Sequence, residues 1–215
     1  EVHKVSNEIV KYDPQIVRDK LTKARAKIAD ALPKVGITPD RLIQLAMGAL
    51  NRNPALLRCT PDSFVLSVLQ CAQLGLEPNT PLGSAYIIPY AGVATFQIGY
   101  RGIIELAYRS GCVKSIQTYT VWENEDFIRT CGLKPELFHT PLPPGKRGDK
   151  IIGYYCVLLL TDDVTCYDFM WKEEVDIIRD RSLSKQGQRK DTPWITHEEQ
   201  MGQKTVIIRT LKRAP

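Results

Sequence analysis

The side chains able to do chemistry in this chain are mostly guanidinium groups, lysines, tyrosines and thiols, and their spacing suits holding a polyanion better than breaking a bond. From Arg101 to Ser110 the spacing is helical. At about 100° per residue, Arg101, Glu105, Tyr108 and Arg109 share about a third of the circumference. Two guanidinium groups beside a ring fit a phosphate and a base; the same stripe also fits a surface Arg101–Glu105 pair one turn apart. Lys114 follows closely. Arg181 precedes Leu183–Pro193, a polar, basic stretch with Lys185, Arg189 and Lys190, which is either a loop that closes over a polyanion or a solvated linker. Near the end, Met201, Ile207, Ile208 and Leu211 all lie within about 60° of Lys204 on a helical wheel. An ammonium in the middle of an apolar arc requires an acidic partner or a ligand phosphate. Arg209, Lys212 and Arg213 point elsewhere and fit plain surface.

Other active-site chemistry is missing. There is no G-x4-G-K-[ST] to cradle nucleotide phosphates, and no G-x-G-x-x-G or G-x-S-x-G. His3, His139 and His197 are isolated in sequence, which does not suggest zinc. Asp162 with Asp163, and Glu123, Glu125 and Asp126, fit turn acids, whereas a metal-dependent nuclease, the rival enzyme reading, needs several carboxylates converging on an ion. No cofactor, metal or catalytic residue is expected. The six cysteines are never spaced C-x2-C and sit mostly in apolar runs, as expected of buried free thiols in a reducing cytoplasm.

The elements that must position these residues are α+β. The apolar spacing predicts a helix from Pro14 to Leu32, with Lys20, Lys23, Arg25 and Lys27 between its apolar positions, suited to subunit or DNA contact. Thr38-Pro39-Asp40 and Thr60-Pro61-Asp62 open two more, to about Asn51 and Leu74, the second capped by Gly75. Ser84–Tyr90 and Val93–Tyr100 form a hairpin across Ala91-Gly92. Ala85, Ile87, Pro89, Ala94, Phe96 and Ile98 then face the core, and Tyr86, Ile88, Tyr90, Val93, Thr95 and Gln97 face outward. That outward face is either a stacking platform, with Tyr86 and Gln97 as contacts, or an ordinary set of cross-strand pairs. Ser115–Trp122, Ile151–Thr161 and Val164–Trp171 make a small antiparallel sheet of about three strands, the first two joined by a mobile loop around Leu142–Gly148. Lys172–Arg181 is a short helix. Thr196-His197-Glu198-Glu199 reads as a capping box opening the last one.

With 215 residues, 43% hydrophobic and 25% charged, the chain can bury one sizeable core or a core plus a satellite. The organisation read from these patterns is an N-terminal helical segment, 1–37, and a core, 38–215. The start, Glu1-Val2-His3-Lys4, has neither an initiator Met nor an apolar h-region and reads as trimmed. No run approaches a membrane span. Net charge is +5 but uneven, so any phosphate-binding surface comes from particular stripes.

The segment LGLEPNTPLGSAYIIPYAGVATFQIGYRGIIELAYRSG, Leu74 to Gly111, closely resembles the RecT family of phage and prophage recombinases. Supporting blocks are RLIQLAMGALNRNPALLRCTPDSFVLSVLQCAQ from Arg41, Thr192-Pro193-Trp194, and Met201 to Arg209; together the resemblance covers roughly residues 40–215. It implies annealing of complementary single strands without ATP, in homo-oligomeric rings or filaments bound to single-stranded and annealed duplex DNA. It also implies a partner exonuclease, host single-strand binding protein and a bacterial cytoplasm. A structural phage assembly protein is a further alternative. The DNA contacts expected are Arg101, Tyr108, Arg109, Lys114, Arg181, Arg189, Lys190 and Lys204, with Tyr86 and Gln97 on the hairpin. Family members often carry a basic residue in the hairpin turn; Ala91-Gly92 departs from that, so the turn is not assigned to DNA.

Overall fold

Helix starts in the first half follow the capping rules. Asp13 accepts a hydrogen bond from the Gln15 N–H at 2.8 Å and opens α1, Pro14–Lys23, while Thr38 accepts from Arg41 at 3.2 Å and opens α3, Pro39–Arg52. The single helix expected from Pro14 is interrupted at Ala24, and α2 runs Arg25–Ala31. The break is mild (φ −83°, ψ −2°), so Val17, Leu21, Ala24 and Ile28 still form one buried line. Helix α4, Pro61–Leu74, ends at Gly75, which takes the left-handed conformation (φ 58°).

This computed structural model describes residues 11–34, 36–186 and 192–214, and the chain divides into two units, Glu1–Leu106 and Ala107–Pro215. In the first, Leu21, Ile28, Leu42, Leu50, Leu56, Phe64 and Val68 make a helical core onto which Ala85, Ile87 and Ala94 of the hairpin are buried. The hairpin is β1, Ala85–Tyr90, with β2, Val93–Ile98. Tyr90 faces Val93 across two residues that both have positive φ, Ala91 (47°) and Gly92 (78°), the twist that suits a two-residue hairpin turn. Its faces alternate as the sequence predicts. Helix α5, Tyr100–Arg109, follows. Two of the basic residues assigned to subunit or DNA contact are already engaged, Lys20 with Asp62 and Arg25 with Asp40.

The second unit is built on an antiparallel sheet in the order β3-β6-β7: Val113–Trp122, Ile151–Leu160 and Thr165–Trp171. The α+β class and the three-stranded sheet are as expected. One face of the sheet, with Tyr154, Cys156, Leu158 and Met170, packs with Val206 and Trp194 from the C-terminal helices. The opposite face is covered by a ribbon absent from the sequence reading, β4, Asp126–Arg129, paired with β5, Leu137–Thr140. Phe127 lies 5.0 Å from Phe169, centroid to centroid, and closes a second small core with Val121 and Tyr155.

Several local expectations are corrected. The 142–148 loop is tied down: Leu142 N–H donates to Glu125 at 2.9 Å, Asp149 N–H to Glu123 at 3.2 Å, and the Arg147 guanidinium sits 3.9 Å above the Trp122 ring. Helix α6 continues to Gln186, beyond Arg181, because Leu183 adds to the apolar cluster. The capping box does not form. Thr196 ends a short helix, α7 (Pro193–Thr196), and its hydroxyl donates to the Thr192 carbonyl at 3.3 Å. Helix α8, Glu198–Leu211, therefore begins at His197 with no side-chain cap. Its buried line is Gly202, Val206 and Thr210, on the far side of the wheel from Lys204. All six cysteines are free, but Cys112 and Cys131 are exposed and not buried.

Candidate nucleic-acid interface

In the first unit, close backbone approach sets the geometry. A Cβ on Gly99 would lie 2.0 Å from the Gly83 carbonyl oxygen, and one on Gly102 2.1 Å from that of Ser84. Only glycines allow the first turn of α5 to dock so tightly against the 83–84 backbone. The Ser84 hydroxyl then donates to Glu105 at 2.9 Å across the joint. Docking brings Arg101 beside the hairpin: the Tyr86 hydroxyl and the Arg101 stem flank Gly83, 2.8 and 4.0 Å from where its Cβ would be. Arg101 is exposed, and its guanidinium leans on the Leu82 carbonyl and the Tyr100 hydroxyl, both at 3.4 Å. Gln97 is the cross-strand neighbour of Tyr86. Three of the expected contacts, Arg101, Tyr86 and Gln97, thus form one exposed group. Around it, Tyr90 is 73% exposed, with Ile88 and Val93 also outward.

In the second unit the expected contacts have other engagements. The exposed Tyr108 accepts the Ile116 N–H at 3.2 Å through its hydroxyl. Lys114, two residues earlier on β3, pairs with Asp163 at 2.9 Å, both groups well exposed. Arg109 and Lys204 are half-buried and Arg181 is exposed, and none of the three lacks a partner. Arg189 and Lys190 lie outside the described residues. Arg209, expected to be plain surface, is ion-paired with Asp168 at 2.9 Å and with Glu174 at 3.1 Å; Arg213 also reaches Asp168, at 3.2 Å.

A buried polar group went unforeseen. His139 and Glu125 are each 2% exposed in their side chains, and His139 Nε2 lies 3.0 Å from the Glu125 carboxylate. The other ring nitrogen lies 3.1 Å from the Tyr155 hydroxyl. Glu125 also accepts the Trp122 and Leu142 N–H groups, at 2.8 and 2.9 Å. Burial pushes its carboxyl upward, but the bonds from Leu142, Trp122 and His139 outweigh this and hold it below the ordinary 4.5. This network joins the end of β3 and the turn after it to β5 and β6, with both His139 and Glu125 buried; it is a structural fastening. Its one sequence signal is an isolated histidine in a segment to which the sequence assigns no element. Among the described residues no group of three or more His, Cys, Asp or Glu is placed to hold a metal ion. Among the same residues, no helix is long and apolar enough to cross a membrane.

The sequence profile of the RecT family matches residues 40–215. The chain belongs to the RecT family. Over 200 residues it is 38% identical to Protein RecT of Escherichia coli (strain K12), spanning 89% of this chain and 71% of that one. It is also 29% identical over 163 residues to the uncharacterized protein YqaK of Bacillus subtilis (strain 168), covering 76% of this chain and 55% of YqaK. RecT membership ties the chain to phage-type DNA recombination, and the match takes in both the hairpin with α5 and the whole of the second unit. Helices α1 and α2 precede it.

Proposed function

We propose that this RecT-family chain binds single-stranded DNA and anneals complementary strands without ATP, as a homo-oligomeric ring or filament, in the bacterial cytoplasm. The observation that carries the reading is the group at the hairpin, where a glycine-docked helix start sets exposed Arg101 against Tyr86 and Gln97. A guanidinium beside an aromatic face takes a phosphate and a base without reading sequence. Annealing needs this tolerance, because base edges must stay free for the second strand. Arg109, Lys114, Arg181 and Lys204, with Tyr108, Arg189 and Lys190, supply further contacts. Lys114 gives up little in leaving Asp163, since an exposed pair contributes about 0–1 kcal/mol. Helices α1 and α2, with exposed Arg18, Lys23 and Lys27, offer a separate surface for a neighbouring subunit or for DNA. A partner exonuclease and host single-strand binding protein complete the reading.

The test is oligonucleotide binding by fluorescence anisotropy across a salt series. For single strands each lost phosphate contact lowers the slope of log affinity against log salt by about 0.7. The Arg101→Ala, Lys204→Ala double variant should therefore lower the slope by about 1.4 and weaken binding at every salt. Unchanged affinity and slope would remove the reading.

A further inference from the structure

We propose that Asn79, Ser63 and Ser67 are positioning residues that hold the outward face of the hairpin in place by standing in for the two strands the hairpin lacks. The proposal rests on the reading of that face as a DNA contact. With a two-residue turn between Tyr90 and Val93, the pairs Tyr86–Gln97, Ile88–Thr95 and Tyr90–Val93 exchange the ladder bonds. The N–H and carbonyl groups of Ala85, Ile87, Ala94, Phe96 and Ile98, and the carbonyl of Pro89, therefore point to the outer margins, where a two-stranded ribbon has nothing to offer them.

On the β1 margin Asn79 answers. Ile87 N–H donates to Asn79 Oδ1 at 2.9 Å, and Asn79 Nδ2 donates back to the Ile87 carbonyl at 3.3 Å. The Ala85 carbonyl accepts the backbone N–H of Asn79 at 2.8 Å. Pro89, next along, has no N–H to satisfy. Asn79 itself is left-handed (φ 54°), a conformation asparagine tolerates, and Arg52 donates to its carbonyl at 3.0 Å. On the β2 margin two serines one turn apart on α4 divide the same task. Ala94 N–H donates to Ser63 Oγ at 2.9 Å, and Ser67 Oγ donates to the Ala94 carbonyl at 2.9 Å. Beyond it, Thr60 N–H donates to the Gly92 carbonyl at 3.1 Å.

Each margin is thus matched, donor and acceptor, at an inner residue. A two-stranded hairpin alone is marginal in water; this one is clamped along both sides and packed beneath. Tyr86, Ile88, Tyr90, Val93, Thr95 and Gln97 are consequently presented on a backbone that need not be ordered when a strand arrives, which removes part of the cost of binding.

Three variants and two measurements test this. Asn79→Gly keeps the left-handed backbone accessible and removes both side-chain bonds; Ser67→Ala removes one bond on the other margin; Tyr86→Ala probes the face itself. Amide hydrogen exchange at Ile87 and Ala94 reports the clamps, and anisotropy with a labelled oligonucleotide reports binding. Asn79→Gly should speed exchange at Ile87 and weaken binding about fivefold, the scale of one side chain losing its preorganisation. The salt slope should not change, because no phosphate contact is lost. Asn79→Asp, which keeps the acceptor for the Ile87 N–H, should recover part of the affinity. Should Asn79→Gly fail to fold, Ser67→Ala carries the same comparison at Ala94. Faster exchange with unchanged affinity, while Tyr86→Ala still weakens binding, overturns the positioning role and leaves the DNA-contact reading standing. Equal binding by wild type and Tyr86→Ala overturns both.

Discussion

Replacing Glu125 by alanine should loosen the second unit more than any surface change of similar size. The carboxylate is 2% exposed and accepts three hydrogen bonds, from the N–H groups of Trp122 and Leu142 and from His139. Alanine leaves all three donors without their acceptor. A stranded buried donor costs about 1–3 kcal/mol, so losing the acceptor of all three should cost about 3–5 kcal/mol. Glu125→Gln keeps one acceptor oxygen and should lose about 1–2 kcal/mol. In urea, with a slope of about 2 kcal/mol per molar, the alanine variant's midpoint should fall by about 1.5–2.5 M. Near-ultraviolet circular dichroism is the right probe, because the Tyr119, Tyr155, Phe127 and Phe169 rings stack directly beside the network. A midpoint within about 0.2 M of wild type would refute the claim that these bonds fasten the ribbon to the sheet.

The same group sets a pH dependence. Its folded carboxyl lies below the ordinary 4.5, so its contribution is complete above that value and is lost as pH falls through the lowered folded one; the stability gap between wild type and Glu125→Gln should close over that acid range in urea titrations. Gly202→Ala should be costly, since the new Cβ would stand 2.2 Å from the ring of fully buried Tyr154; overpacking of about 1–3 kcal/mol would lower the melting temperature by about 2–12 °C, and an unchanged melting curve would show that α8 can shift away freely. A thiol reagent should modify exposed Cys112 and Cys131 quickly and spare Cys71 and Cys156 in the folded protein, because burial pushes those two thiols up to about 12 and about 11; rapid native labelling of Cys71 would contradict the packing of α4.

The helical half was legible because its signals are local. Thr38 and Pro39 mark the start of α3, Gly75 marks the end of α4, and the two-residue turn at Ala91-Gly92 fixes the register from which the hairpin's faces follow. What failed depended on partners distant in sequence. On α8, hydrophobicity centred the wheel on Lys204, but the face that meets the sheet is Gly202, Val206 and Thr210, chosen by the room the Tyr154 ring leaves rather than by apolarity. The four-residue strands β4 and β5 are too short for their alternation to be seen, and become strands because Phe127 and His139 have Phe169 and Tyr155 to pack on. In the candidate site, the grouping of Arg101 with Tyr86 and Gln97 could be expected only as separate contacts. The close approach that joins them lies in Gly99 and Gly102, whose role shows only once the 83–84 backbone is placed opposite.

The segment from Pro141 to Lys150 carries three prolines, two glycines and two adjacent bases, a composition that invites trypsin. Yet Asn124 accompanies Glu123 and Glu125 in stitching it to the turn after β3, with its N–H donating to the Arg147 carbonyl at 3.4 Å, and the Arg147 guanidinium lies over the Trp122 ring. A protease must lift the bond it cuts out of such stitching, so Lys146 and Arg147 should survive brief digestion better than their sequence suggests. An exposed basic loop is vulnerable only insofar as its backbone is free to leave.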